Sequence, residues 1–259
     1  MRNQHEPDIA VSSPHARRSL SRAEIRTLAL ASLGGALEFY DFVIFVFFVP
    51  VIGQLFFLAD LPAWLRQVQT FGIFAVGYLA RPLGGIIMAH LGDLRGRKSM
   101  FLLSLTLMAA STLLIGLLPT YRSLGIAAPL LLLCMRVAQG AAIGAEAPGG
   151  WVFVAEHAAP GRVGLAVGLL TSGLTAGILL GSLTATACSL ALSPEQVAGG
   201  FWRLPFLLGG VFGFAAIALR RHLQETPVFQ AMRSSGATSK AFPLAMVCAP
   251  IAPPWRPRC

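Results

Sequence analysis

The sequence is short of charge. Only 12% of its 259 residues are Asp, Glu, Lys or Arg, 55% are hydrophobic, and the mean hydropathy is +0.69. A soluble domain carries about a quarter charged residues, and a globule of this length still leaves much of its chain in water. So much apolar surface cannot be hidden in one core, and the bilayer is the expected solvent for most of the chain. Cysteine is scarce too. Cys134, Cys188, Cys248 and Cys259 stand at no metal-ligand spacing and imply neither a zinc site nor a disulfide framework. A metal-ligand helix, a nucleophile elbow and a phosphate-binding loop are all missing, so an enzyme is not expected.

The net charge of +9 invites a nucleic-acid reading, but the cations do not gather on one basic face. They fall in clusters between apolar runs: Arg17, Arg18, Arg22 and Arg26, then Arg95, Arg97 and Lys98, then Arg220 and Arg221. A helix needs about 20 mostly apolar residues to cross the hydrocarbon. Six stretches qualify: 28–57, 68–91, 100–118, 126–154, 163–192 and 202–219. Connections without a cluster offer single cations, Arg66, Arg122 and Arg203, while Arg162 between the fourth and fifth spans is neutral. That alternation fits an even number of spans with both ends in the cytoplasm. The expected organisation is a polar cytoplasmic N-terminus over 1–27, an all-α six-helix transmembrane bundle over 28–219, a cytoplasmic polar segment over 220–240 and a Pro-rich tail over 241–259. Glycines repeat every fourth residue at Gly173, Gly177 and Gly181 and at Gly140 and Gly144, the pattern of helices packed closely inside a bundle.

Ionisable groups inside apolar runs carry the functional signal, because each costs about 2.5–3.5 kcal/mol at a helix centre. Glu38 and Asp41 share one face of the first span, three residues apart. Burial and the nearness of a second carboxylate both penalise the charged form, and a carboxyl that exchanges its proton near neutral pH is what proton coupling requires. Arg81 in the second span and Arg136 in the fourth are the available cations. Either can neutralise an acid of the first span or offer its guanidinium to a carboxylate solute, and both jobs stay open at this level. Glu146 and Glu156, toward the far end of the fourth span, fit a gating or packing network.

Several segments together resemble a known family. Gly92-Asp93-Leu94-Arg95-Gly96-Arg97-Lys98, between the second and third spans, resembles the signature loop of the major facilitator superfamily, and Arg136-x-x-Gln139-Gly140 resembles its second signature. Leu37 to Phe42, Ala80 to Gly85, Trp202 to Phe206 and Glu225-Thr226-Pro227 look like the metabolite:proton symporter branch, which carries proline, betaine, citrate, α-ketoglutarate and shikimate. Ala89 and Leu94 depart from the signature loop, and the proline-bearing antiporter signature of the fifth span is absent, which favours symport.

The resemblance implies the N-terminal half of a twelve-helix carrier in a bacterial inner membrane, with a solute site at the interface between two halves. Asp41 and Glu38 are then the proton-coupling pair, and Arg81, Tyr40 and Arg136 the solute contacts. Asp93, Gly96, Arg97 and Lys98, with Glu146 and Glu156, form a cytoplasmic gate. Protons are the coupling ion and no cofactor is expected. The expected partners are membrane lipid, a small metabolite, and a second copy or a C-terminal half; nucleic acid is not among them. The stretch from about Ala241 onward reads as a shifted frame or a truncated gene, which makes a non-transporting fragment or a homodimerising half-carrier the competing reading.

Overall fold

The computed structural model describes residues 22–158, 161–221 and 234. The expected 220–240 segment and 241–259 tail, like most of 1–27, therefore lie largely outside the described residues. What is described is helical: α1 (Arg22–Phe56), α2 (Ala63–Arg95), α3 (Arg97–Leu117), α4 (Tyr121–Leu124), α5 (Ala127–His157), α6 (Val163–Ala191), α7 (Pro194–Gln196) and α8 (Arg203–Arg220). A π-helical turn, Val197–Phe201, joins the last two. Among the described residues five helices are long and apolar enough to cross a membrane, and a sixth crossing follows if Pro194–Phe201 and Arg203–Leu219, bent by 48° to one another, are taken as one span.

The boundaries differ from the sequence reading where hydropathy is blind. The first helix begins at Arg22 and the second at Ala63. Hydropathy marks only the part in hydrocarbon, whereas backbone hydrogen bonding carries a helix on into its polar flanks. The signature segment between the second and third spans is also not a loop. Helix α2 continues through Arg95, α3 starts at Arg97, and the whole turn is Gly96, whose φ of 99° is open to glycine and strained for other residues. Its N–H donates to the Gly92 carbonyl at 3.0 Å and closes α2. At the other end of α3, Arg203 Nη2 donates to the Leu118 carbonyl at 3.1 Å, satisfying one of the acceptors that a helix end leaves open.

The bundle is built from three close pairs, α1 with α6, α2 with α5, and α3 with α8. This pattern of partners is unchanged when α1, α2 and α3 are exchanged in order for α5, α6 and α8. Small residues make the contacts possible, since lipid supplies no hydrophobic force between helices and backbones must approach to gain contact. A methyl group at Gly140 would overlap the Gly77 carbonyl, one at Gly144 the Arg81 carbonyl, and one at Gly177 the Ala36 carbonyl. Both glycine faces singled out in the sequence are thus spent inside the bundle. The main core lies where α1 meets α3, α5 and α8, with Ile44, Phe45, Ile52, Phe56, Trp202 and Phe206 all fully buried. Phe56 meets Trp202 edge to face at 5.6 Å.

Candidate functional site

Among the described residues, two polar features stand out in this apolar interior, and they adjoin. The first is a closed cluster. Asp41 faces inward from α1 on the same stripe as Ile44, Phe45 and Phe48, so the helical period that buries those residues buries the carboxylate as well, to 2% exposure. Arg136 on α5 is 5% exposed. A charge so placed persists only if it is paired and hydrogen-bonded. Arg136 Nη1 lies 3.3 Å from Asp41 Oδ2, and its guanidinium carbon stands 3.4 Å from the centre of the Phe45 ring.

Gln139, one turn beyond Arg136, ties the pair together. Its Oε1 accepts from Arg136 Nη1 at 2.7 Å, while its Nε2 donates to Asp41 Oδ2 at 2.9 Å and to Thr112 Oγ1 at 2.8 Å. The Thr112 hydroxyl is itself committed to the Met108 carbonyl at 3.0 Å, so its oxygen is left as an acceptor and the Gln139 amide can face only one way. Asp41 Oδ2 therefore takes two donors, whereas Oδ1, together with Arg136 Nε and Nη2, has no hydrogen-bond partner among the described residues. The cluster joins Asp41 and Arg136 through one oxygen and one nitrogen and keeps unused bonding capacity. Protonating Asp41 would cancel the attraction that fixes Arg136.

The second feature is a small, partly open recess between α1, α2 and α5, lined among others by Asp41, Phe42, Phe74, Tyr78, Arg81 and Arg136. Arg81 is half-buried there, with its guanidinium carbon 3.9 Å from the centre of the Tyr78 ring. The i, i+3 spacing of Tyr78 and Arg81 on α2 puts one side chain above the other.

Of the residues singled out in the sequence, Asp41, Arg81 and Arg136 come together at the recess. Tyr40 does not. It is buried on another face of α1, and its hydroxyl donates to the Pro205 carbonyl at 3.0 Å, tying α1 to α8. Glu38, Arg97 and Glu146 are placed on their helices, but their side chains lie outside the described ones. Asp93 and Lys98 flank the Gly96 turn, both half-buried, and Glu156 sits in the last turn of α5 with Oε2 buried and without a hydrogen-bond partner among the described residues. None of these three lines the recess. Gln139, Thr112 and the three rings are additions. Gln139 was visible one turn after Arg136, and Phe74, Tyr78 and Arg81 share a helical face by spacing. Thr112 gave no signal.

The sequence profile of the sugar (and other) transporter family matches residues 27–242. A Staphylococcus aureus protein is 40% identical over 205 residues, which are 79% of this chain and 44% of that protein. The proline/betaine transporter of Salmonella typhimurium is 36% identical over 79% of this chain and 41% of its own length. The glycine betaine/proline/ectoine/pipecolic acid transporter OusA of Dickeya dadantii matches with the same identity and the same coverage. The chain thus spans less than half the length of these relatives. Among solved structures, the proton:xylose symporter XylE, a major facilitator superfamily protein, superposes with a TM-score of 0.74 at 16% identity, covering 83% of this chain and 48% of that one. An inward-open form of the Escherichia coli xylose transporter gives 0.71 at 16% identity, over 88% and 53%.

Proposed function

Because the chain belongs to the sugar (and other) transporter family of the major facilitator superfamily, we propose that its bundle serves the proton-coupled transport of a small zwitterionic metabolite. The observation that carries this is the buried Asp41–Arg136–Gln139 cluster set against the recess that Arg81 lines. Asp41 takes up the coupling proton, with Glu38 one turn earlier on α1 as the second acid. Arg136 is the internal counter-ion released when Asp41 is neutralised, and Arg81 receives a carboxylate. Proline, betaine, ectoine and pipecolic acid, the solutes in the names of two relatives, each join a carboxylate to a positively charged nitrogen. That chemistry is what a recess with an arginine and aromatic faces accommodates.

The rest of the proposal follows from the same reading. Asp93, Gly96, Arg97 and Lys98 at the α2–α3 turn, with Glu146 and Glu156 on α5, act as a cytoplasmic gate. The alternating Lys and Arg clusters support a bacterial inner-membrane location with both termini in the cytoplasm. The partly open recess calls for a second six-helix unit to enclose the solute, either another copy or a C-terminal half.

The test is uptake. Proteoliposomes carrying the protein, given an inward proton gradient, are expected to accumulate labelled proline or glycine betaine, and a protonophore is expected to abolish the accumulation. Asp41→Asn should eliminate gradient-driven uptake. Uptake that persists in that variant, or that ignores the protonophore, would remove proton coupling through Asp41.

A further inference from the structure

The aromatic side of the recess already holds a cation. Phe42, Phe74 and Tyr78 form a triangle, with centroids 5.1 Å apart for Phe42 and Phe74, 5.7 Å for Phe42 and Tyr78, and 5.6 Å for Phe74 and Tyr78. The Arg81 guanidinium lies 3.9 Å from the Tyr78 centroid and 5.8 Å from that of Phe42, within the range over which a ring face attracts a positive charge. No carboxylate pairs with it among the described residues, since Asp41 of the same recess is engaged by Arg136 and Gln139. Arg81 is thus a cation resting on rings, with no carboxylate on its planar fork of donors among the described residues.

We infer that Arg81 is a resident cation that the ligand displaces: the ligand's carboxylate draws the guanidinium off Tyr78 into a charge-assisted pair, and the ligand's own cationic nitrogen takes over the vacated ring faces. The inference rests on the zwitterion reading above and adds how the site tells a zwitterion from its singly charged relatives. A simple cation must compete with Arg81 for the rings and leaves two unpaired positive charges side by side. A simple anion moves Arg81 but leaves the rings uncovered. Only a ligand with both charges makes the exchange complete, so Tyr78 and Arg81 act together as the specificity-determining pair.

Three probes separate these cases when their binding to the purified protein in detergent micelles is measured by calorimetry. Glycine betaine carries both charges, choline lacks the carboxylate, and 3,3-dimethylbutyrate has the shape of betaine with carbon in place of the cationic nitrogen. Betaine is expected to bind about tenfold tighter than either, a ratio between those of an exposed and a desolvated cation–ring contact. Tyr78 is 44% exposed, so its replacement leaves the core intact. Tyr78→Leu should weaken betaine about tenfold and leave 3,3-dimethylbutyrate unchanged, whereas Tyr78→Phe, which keeps a ring face, should stay within about twofold of wild type. Arg81→Gln should reverse the order, losing betaine and gaining choline. The inference is overturned if 3,3-dimethylbutyrate binds as tightly as betaine, if Tyr78→Leu binds betaine like wild type, if Arg81→Gln gains nothing for choline, or if betaine does not bind at all. Failed uptake alongside ring-dependent betaine binding would instead sink the transport reading alone.

Discussion

At the scale of single residues, the Asp41–Arg136 pair is costly to break and cheaper to remove entirely. Taking one partner from a buried pair strands the other charge and costs about 3–5 kcal/mol, whereas replacing both by apolar or neutral groups is often close to neutral. Arg136→Met is therefore expected to lower the thermal unfolding temperature in micelles sharply, and the Asp41→Asn, Arg136→Met double variant to recover much of the loss. A double variant as unstable as the single would mean that the two side chains do not sense each other. These charges could be read from the sequence because an ion in an apolar run is an anomaly. Thr112 could not, because a hydroxyl in a membrane helix satisfies itself on its own backbone. Thr112 bonds to the Met108 carbonyl just as Thr106 bonds to Leu102 and Thr171 to Val167, and only its neighbour Gln139 sets it apart.

At the scale of elements, packing is decided by what is missing from the side chain. Gly140 and Gly177 stand where a methyl group would overlap the backbone of the partner helix. Gly140→Val and Gly177→Val are each expected to destabilise the bundle by about 1–3 kcal/mol, the usual range for overpacking, measured as a shift in the denaturant midpoint. An unchanged midpoint would mean that the α2–α5 or α1–α6 pair is looser than described. Gly96→Ala tests a different constraint. Its φ of 99° with ψ of 152° suits glycine, and an alanine there costs on the order of 1–3 kcal/mol. The glycine spacing announced close packing in the sequence but not the partners, because spacing on one helix says nothing about which helix answers it. The one-residue turn at Gly96 was hidden for a related reason. Asp93, Arg95 and Lys98 made the segment look like a loop, and helices at a membrane surface carry the same polar residues.

At the scale of the whole molecule, hydropathy located the helices and the distribution of Lys and Arg proposes their direction. The α2–α3 turn and the α3–α5 connection then lie on opposite sides of the membrane. In a background with the native cysteines replaced, Thr120→Cys is expected to react with a membrane-impermeant maleimide added to intact cells, and Ser99→Cys only after permeabilisation. The reverse pattern would invert the proposed topology. The break at Gly200, where φ reaches 149°, was beyond the sequence, since the capping pair Ser193 and Gln196 and the helix after Trp202 read equally well as a turn followed by a fresh span.

The exchange pattern among the helices gives the ion pair a particular position. Asp41 belongs to the first helix of the leading triplet and Arg136 to the first helix of the trailing one, so the pair is a rivet across the seam between two equivalent subassemblies. Gln139, from the trailing triplet, adds two bonds across the same seam, to Asp41 on α1 at 2.9 Å and to Thr112 on α3 at 2.8 Å. A slip of α1 along α5 by a single helical turn, about 5.4 Å, would pull the charges out of reach of one another. Charge neutralisation at one carboxyl oxygen and mechanical shear between the triplets are therefore two ways of undoing the same fastening, and whichever happens first lowers the resistance to the other.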